Sequence, residues 1–287
     1  GLHFKNTNAV GKNSPKYSSD PQVDLMGIFE FNSSLPLIKL NDYYSDTLTP
    51  KVSFRINPNN MKNYTDDDRI ITADNIFNID RLSIDDSFEA GKSVTYGVDF
   101  RRENINNPNR YTQLNLASVI RDEEENNIPK KTTLNKKNSN IFGSVDHSIS
   151  NFLELGYDFS IDNDFEQFDY NAIGLDVSVN NFVTKFNFIE ENNIMGDKSS
   201  IENITTLNLN ENNFFSFQTR RNRKINLTEY YDLVYEYKND CLTAGIKYKK
   251  TFYEDRELKP TEDLFFTITL IPLTSVDQKI SQGLYQK

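Results

Sequence analysis

Residues Tyr230 to Leu273 read YYDLVYEYKNDCLTAGIKYKKTFYEDRELKPTEDLFFTITLIPL, and three runs within them alternate. Tyr231, Leu233, Tyr235 and Tyr237 fall on one face of an extended chain, and Asp232, Glu236 and Lys238 fall on the other, because successive strand side chains point to opposite sides. Leu242, Ala244, Ile246 and Tyr248 repeat the rhythm opposite Cys241, Thr243, Gly245, Lys247 and Lys249. Only Asn239 and Asp240 separate these two runs, a gap of hairpin size. After a polar loop over 254–262, Leu264, Phe266, Ile268 and Leu270 oppose Phe265, Thr267 and Thr269, and Pro272 ends the run. The reading predicts that Asp263 to Leu273 is the last strand and that 274–287 is a polar tail.

Composition narrows the setting. Only 37% of the 287 residues are hydrophobic, and no window holds the roughly 18 consecutive apolar residues of a spanning helix. Fifteen Tyr and 21 Phe are present with no Trp, and they sit in alternating runs. Such a chain is either soluble or presents its apolar surface one residue in two. The net charge of −10 argues against a nucleic-acid partner, which needs clustered Lys and Arg. The one basic cluster, Arg220, Arg221, Arg223 and Lys224, reads as a solvated strand end. A single cysteine, Cys241, cannot form an internal disulfide, so it is buried, free or paired outside the chain. Gly1 is not a methionine and no apolar leader follows it, so any signal peptide is expected to be removed or to lie upstream.

The same alternation extends backwards through the chain. Gly1 to Pro21 reads as a loop or frayed strand, Gln22 to Phe31 as the first strand, Ser33 to Leu40 (SSLPLIKL) as a short apolar connection, and Val52 to Asn57 as the second strand. The pattern then lapses into a long polar loop, 59–92, whose acidic triplet Asp66, Asp67 and Asp68 lacks the spacing of a calcium loop. From Val94 onward it returns. The clearest case is Leu153, Leu155, Tyr157, Phe159 and Ile161 against Glu154, Gly156, Asp158, Ser160 and Asp162. Ile173, Leu175 and Val177 against Asp176 form the next strand, which Phe182 to Phe188 follows after two polar residues. The count reaches about thirteen strands. Short turns at Ser150-Asn151, Asn180-Asn181 and Asn239-Asp240 alternate with longer loops at 121–138, 190–199 and 254–262. Several runs have the nine to eleven residues of a tilted membrane strand, so the pattern predicts an all-β, antiparallel up-and-down transmembrane β-barrel ahead of a soluble sandwich or solenoid.

Several motifs resemble one family. SSLPLIKL, then LTPKVSF, then DNIFNIDRLSIDDSFEAGKSVTYGV, and finally the YKNDCL turn, the DRELKP loop and the closing Leu-x-Pro-Leu occur in an order similar to the carboxy-terminal barrel of LptD, the outer-membrane protein of lipopolysaccharide assembly. The resemblance covers nearly the whole chain and rests on the order of individually weak motifs. It implies a translocon of the cell outer membrane, without a cofactor. Its cargo would be lipopolysaccharide, received from a periplasmic bridge protein of the LptA type and released sideways into the outer leaflet through the seam between first and last strands. A plug lipoprotein of the LptE type and outer-membrane lipids would be its other partners. Family barrels have about 26 strands, so residues 1–273 would be a fragment, the second half of a larger barrel. Leu264, Phe266, Ile268, Leu270 and Pro272 would belong to the lateral-gate strand. Pro272, which lacks an N–H, would shorten its ladder, although Pro ends ordinary strands equally well. The resemblance also implies an interdomain disulfide from Cys241 to a periplasmic domain.

No enzyme is expected. His3 and His147 have no metal-ligand spacing around them, and Asp146 and His147, adjacent in a strand, point apart. No nucleophile elbow or phosphate loop is present. The alternatives are a porin or importer, or a barrel hydrolase whose site is assembled from scattered residues.

Overall fold

The computed structural model describes residues 1–11, 13, 19–252, 260–270 and 274–283. Among them are sixteen strands and two short 3-10 turns, at Lys130–Thr132 and Asn193–Met195. The first half of the strands comprises β1 (Leu2–Ala9), β2 (Gln22–Ser34), β3 (Leu37–Leu40), β4 (Tyr44–Asn57), β5 (Gly91–Asn104), β6 (Asn107–Arg121), β7 (Ile141–Ser150) and β8 (Leu153–Ile161). The second half comprises β9 (Phe168–Val179), β10 (Phe182–Glu191), β11 (Lys198–Asn210), β12 (Asn213–Asn222), β13 (Leu227–Lys238), β14 (Leu242–Thr251), β15 (Thr261–Leu270) and β16 (Thr274–Gly283). Fifteen of them neighbour one another in chain order, an antiparallel up-and-down meander, and β3 pairs with β4 from beside β2.

All thirteen expected strands are present as β2 and β4 to β15, with three more beside them, the first inside the stretch expected as a loop or frayed strand. The first, β1, pairs with β2 over its whole length, from Leu2 opposite Phe29 to Ala9 opposite Gln22. The supposed connection Ser33–Leu40 is instead the end of β2 followed by β3, both against β4. Pro36 removes one donor there, but the Leu35 N–H bonds to the Pro50 carbonyl at 3.0 Å and carries the ladder across the break. The third correction bears on function. Thr274–Gly283, expected as a polar tail, is β16, paired with β15 from Leu270 opposite Thr274 to Thr261 opposite Gly283. A polar sequence can form an edge strand because its ladder needs backbone groups alone.

Connections alternate in length. Two residues join β5 to β6, β7 to β8, β9 to β10 and β11 to β12, and three, Asn239 to Cys241, join β13 to β14. The intervening connections are longer: 58–90, 122–140, 162–167, 192–197 and 223–226. Most of the expected 254–262 loop lies outside the described residues, and Thr261 and Glu262 already belong to β15.

The chain divides into two compact units. The first holds 1–146, 158–170 and 192–196, and the second holds 147–157, 171–191 and 197–287. In the first unit one sheet face is apolar and open: Phe31 lies opposite Phe54, Phe54 opposite Val94, and Val94 opposite Ile120. Phe31, Phe54 and Ile120 are all exposed large hydrophobics. The other face carries Glu30, Ser53, Arg55, Thr95, Ala117, Val119 and Arg121, all buried. In the second unit Phe215, Tyr235, Ile246, Phe266 and Ile268 share the open face, as the registers across β12 to β15 require. Apolar side chains outward and polar ones inward is the arrangement of a membrane-spanning sheet.

Candidate functional site

The inward face of the first unit is covered by the segment 58–90. Expected as a polar loop, it supplies Met61, Tyr64, Ile71, Ile76, Leu82 and Ile84 to a core completed by Val119, Ile128, Leu134, Phe142 and Met195. Its apolar residues follow neither a strand nor a helix period, which is why the sequence conceals them. Gly97 of β5 makes room for the segment. A Cβ there would stand 3.0 Å from the Phe77 ring, 3.0 Å from Ala117 Cβ and 2.6 Å from the Leu116 carbonyl oxygen.

Buried charges fasten the segment to the wall. Glu89 accepts hydrogen bonds from Arg81 Nε at 2.6 Å and Nη2 at 2.5 Å, and a second guanidinium, that of Arg121 on β6, donates to the same carboxylate. Arg81 also donates to Thr95 Oγ1 at 2.8 Å and Ser93 Oγ at 3.3 Å on β5. On the adjoining strands, Arg55 of β4 donates through Nε to Glu30 of β2 at 3.0 Å and through Nη2 to the Asn78 carbonyl of the segment at 2.7 Å. All five charged side chains are buried. Burial would raise the Glu89 carboxyl, but the Arg81 charge and hydrogen bonds, with Arg121 and Arg55 nearby, hold it down to about 2. Arg55 Nη1 and Arg121 Nε are left without a hydrogen-bond partner, but the paired charges still fix one arrangement, since removing a member strands a buried charge.

The edge of the order is held as well. Lys5 of β1 bonds to Asp80 at 2.6 Å and to the Ser87 carbonyl at 3.1 Å, donates to the Ile84 carbonyl, and lies 4.3 Å from the Phe88 ring centre. At the surface the segment joins the 122–140 connection: the Tyr64 N–H donates to the Asn127 carbonyl at 2.9 Å and the Lys130 N–H to that of Thr65 at 3.1 Å. Within the acidic triplet, Asp66 pairs with Lys130 at 3.6 Å and Asp68 with Lys131 at 2.6 Å. Those pairs are exposed and add little. No group of three metal-ligating side chains occurs among the described residues. What this geometry can do is block and hold, covering the polar side of the wall with a segment locked at Glu89 and Lys5.

The expected site residues lie elsewhere. Leu264, Phe266, Ile268 and Leu270 do stand on one face of β15, with Phe266, Ile268 and Leu270 exposed, but β14 and β16 flank that strand on its two sides. It is not the last strand, and the expectation that Asp263–Leu273 ends the order is corrected accordingly. Pro272 lies outside the described residues. Cys241 is free and exposed in the short β13–β14 turn, where its N–H donates to Asn239 Oδ1 at 3.0 Å. Sequence reading missed the cluster of Arg55, Arg81, Glu89 and Arg121. The only signal was Arg81 and Glu89 standing eight residues apart in a stretch without periodicity.

With this geometry in hand, comparison decides the family. The model of LptD, LPS transport system D, matches residues 3–212. The chain belongs to that family. LptD is a family of lipopolysaccharide transporters and not of enzymes, with lipopolysaccharide as its substrate, and its membership points to the outer membrane. Among solved structures, two engineered variants of a Rh. blastica porin are each similar over 99% of this chain and 95% of their own, at 8% identity and a TM-score of 0.38. No curated protein matches.

Proposed function

We propose that this chain is part of an outer-membrane wall through which lipopolysaccharide is delivered to the outer leaflet by sideways release at a seam between terminal strands. The observation that carries the reading is the two-sided meander of an LptD-family chain, apolar and open outward, polar and covered inward. A saccharide-bearing lipid needs both surfaces: a polar side for its sugars and an exit to hydrocarbon for its chains. On this reading β16 is the seam strand, and Leu264, Phe266, Ile268 and Leu270 of β15 form the hydrocarbon-facing row directly behind it. Thr274, Ser275, Asp277, Gln278, Lys279, Ser281 and Gln282 make β16 a polar strand. Such a strand can be held by its backbone ladder, and this suits a seam that must part. The 58–90 segment would keep the inward side shut to solutes while the seam opens.

The partners proposed with this function are a periplasmic bridge protein of the LptA type and a plug lipoprotein of the LptE type. Short turns of outer-membrane barrels face the periplasm. Cys241, exposed in such a turn, would there meet a cysteine of the periplasmic domain.

The test is to place cysteine pairs between β16 and the first strand of the full-length protein and oxidise them. Lipopolysaccharide should stop reaching the cell surface while the barrel stays folded. Export at the normal rate through a fully crosslinked seam would defeat the sideways route.

A further inference from the structure

The basic residues at the end of β12 divide into two kinds. Arg220 pairs with Glu229 at 3.0 Å, and Lys224 pairs with Asp197. Arg221 and Arg223 are exposed, and neither has a carboxylate partner among the described residues. Arg221 lies opposite Ile201 of β11, which lies opposite Phe188 of β10. Directly opposed residues share a face, so Arg221 stands on the outward, apolar side. The Arg223 guanidinium lies 5.2 Å from the centre of the Phe188 ring, on that same side. Arg221 donates to Asn226 Oδ1, which holds its fork in place. Glu190, opposite Ser199 and two residues beyond Phe188, lies on the same face and forms no ion pair with either arginine among the described residues.

Their height matters as much as their charge. From Asn213, beside the short turn, to Arg221 the strand climbs eight residues, which is ~27 Å of strand and ~20 Å of height at a 40° tilt. An outer-membrane apolar band is about 25 Å tall, so the two arginines stand near its far boundary, at the end of the long connections. We infer that Arg221 and Arg223 form a binding site for the phosphate of an anionic lipid on the outward side of the sheet, with its chains lying over Phe188 and Ile201. Guanidinium forks match phosphate oxygens two at a time. The exposed apolar surface beneath them favours a phosphate that carries chains over free phosphate.

The inference rests on the membrane reading above and not on export. The full-length protein is reconstituted in nanodiscs containing either the phosphorylated lipid anchor of lipopolysaccharide or its dephosphorylated form, and hydrogen exchange over 221–226 and lipid retention are measured. The phosphorylated lipid should be retained at least tenfold more tightly and should protect the turn. Arg221→Ala with Arg223→Ala should abolish both effects without changing the folded mobility of the barrel, and the corresponding lysine pair should restore part of the retention. Equal retention by the double alanine variant, or of the dephosphorylated lipid, overturns the site. Equal protection by inorganic phosphate alone overturns the lipid as its occupant. A protein with its β16 seam crosslinked should keep this retention, so failure of the export reading is told apart from failure of the site.

Discussion

Glu89→Gln removes one negative charge from a buried cluster of three guanidiniums and two carboxylates while keeping the shape of the side chain. Arg81 then has a neutral amide where its two shortest bonds ended, and Arg121 loses its ionic partner among the described residues. Breaking a buried pair from one side costs about 3–5 kcal/mol. The segment 58–90 opens locally rather than with the sheet, so amide exchange over those residues should accelerate roughly 100- to several-thousand-fold while β12 to β15 stay protected. A bulky hydrophilic antibiotic should then cross the outer membrane faster. The acid response provides a second readout. The Glu89 carboxyl titrates at about 2 instead of 4.5, so it contributes stability on the order of 3 kcal/mol that is fully present above pH ~4.5 and lost as pH falls through ~2. Glu89→Gln should abolish that acid-dependent loosening. The combination Arg81→Met, Glu89→Leu and Arg121→Met should recover most of the protection, because an apolar replacement of a buried ion cluster is neutral or stabilising by about 1–4 kcal/mol. The Ser93 and Thr95 hydroxyls then forgo bonds worth about 1 kcal/mol each. Unchanged exchange over 58–90 in Glu89→Gln would refute the lock.

Gly97→Ala forces a Cβ to within 2.6 Å of a backbone oxygen, and should loosen the packing of Phe77 by about 1–3 kcal/mol, seen as faster proteolysis inside 58–90. Ile246→Arg, on the open face between Tyr235 and Phe266, should cost about 2–4 kcal/mol of stability in a bilayer. Ser216→Arg, on the opposite face beside Val234, should change stability by less than about 1 kcal/mol, and denaturant titration in vesicles compares the two. Cys241 of the full-length protein, isolated from an oxidising periplasm, should resist alkylation until reduced. Quantitative labelling without reductant would remove the proposed disulfide.

Thirteen strands were legible in the sequence, and so were the faces of those that alternate most clearly, because a sheet with one side in hydrocarbon writes its exposure into every second residue. Leu155, Ile173 and Ile246 are exposed as their spacing required. Asp158 stands within electrostatic reach of Asp74 in the covering segment, on the inward side. Where the side chains carry no alternation the sequence was silent, and β16 is the plain case: its pairing is made by backbone groups that every residue possesses, so only the presence of β15 alongside revealed it. The segment 58–90 lies at the other extreme. Its residues contact the wall through a rim of carbonyls, a lysine from β1 and an ion cluster drawn from β2, β4, β5 and β6. No local spacing records such a meeting, since Glu30, Arg55, Arg81, Glu89 and Arg121 come together only after four strands have paired. Periodicity therefore decided which side of the wall meets lipid, and tertiary packing alone decided what stands behind it.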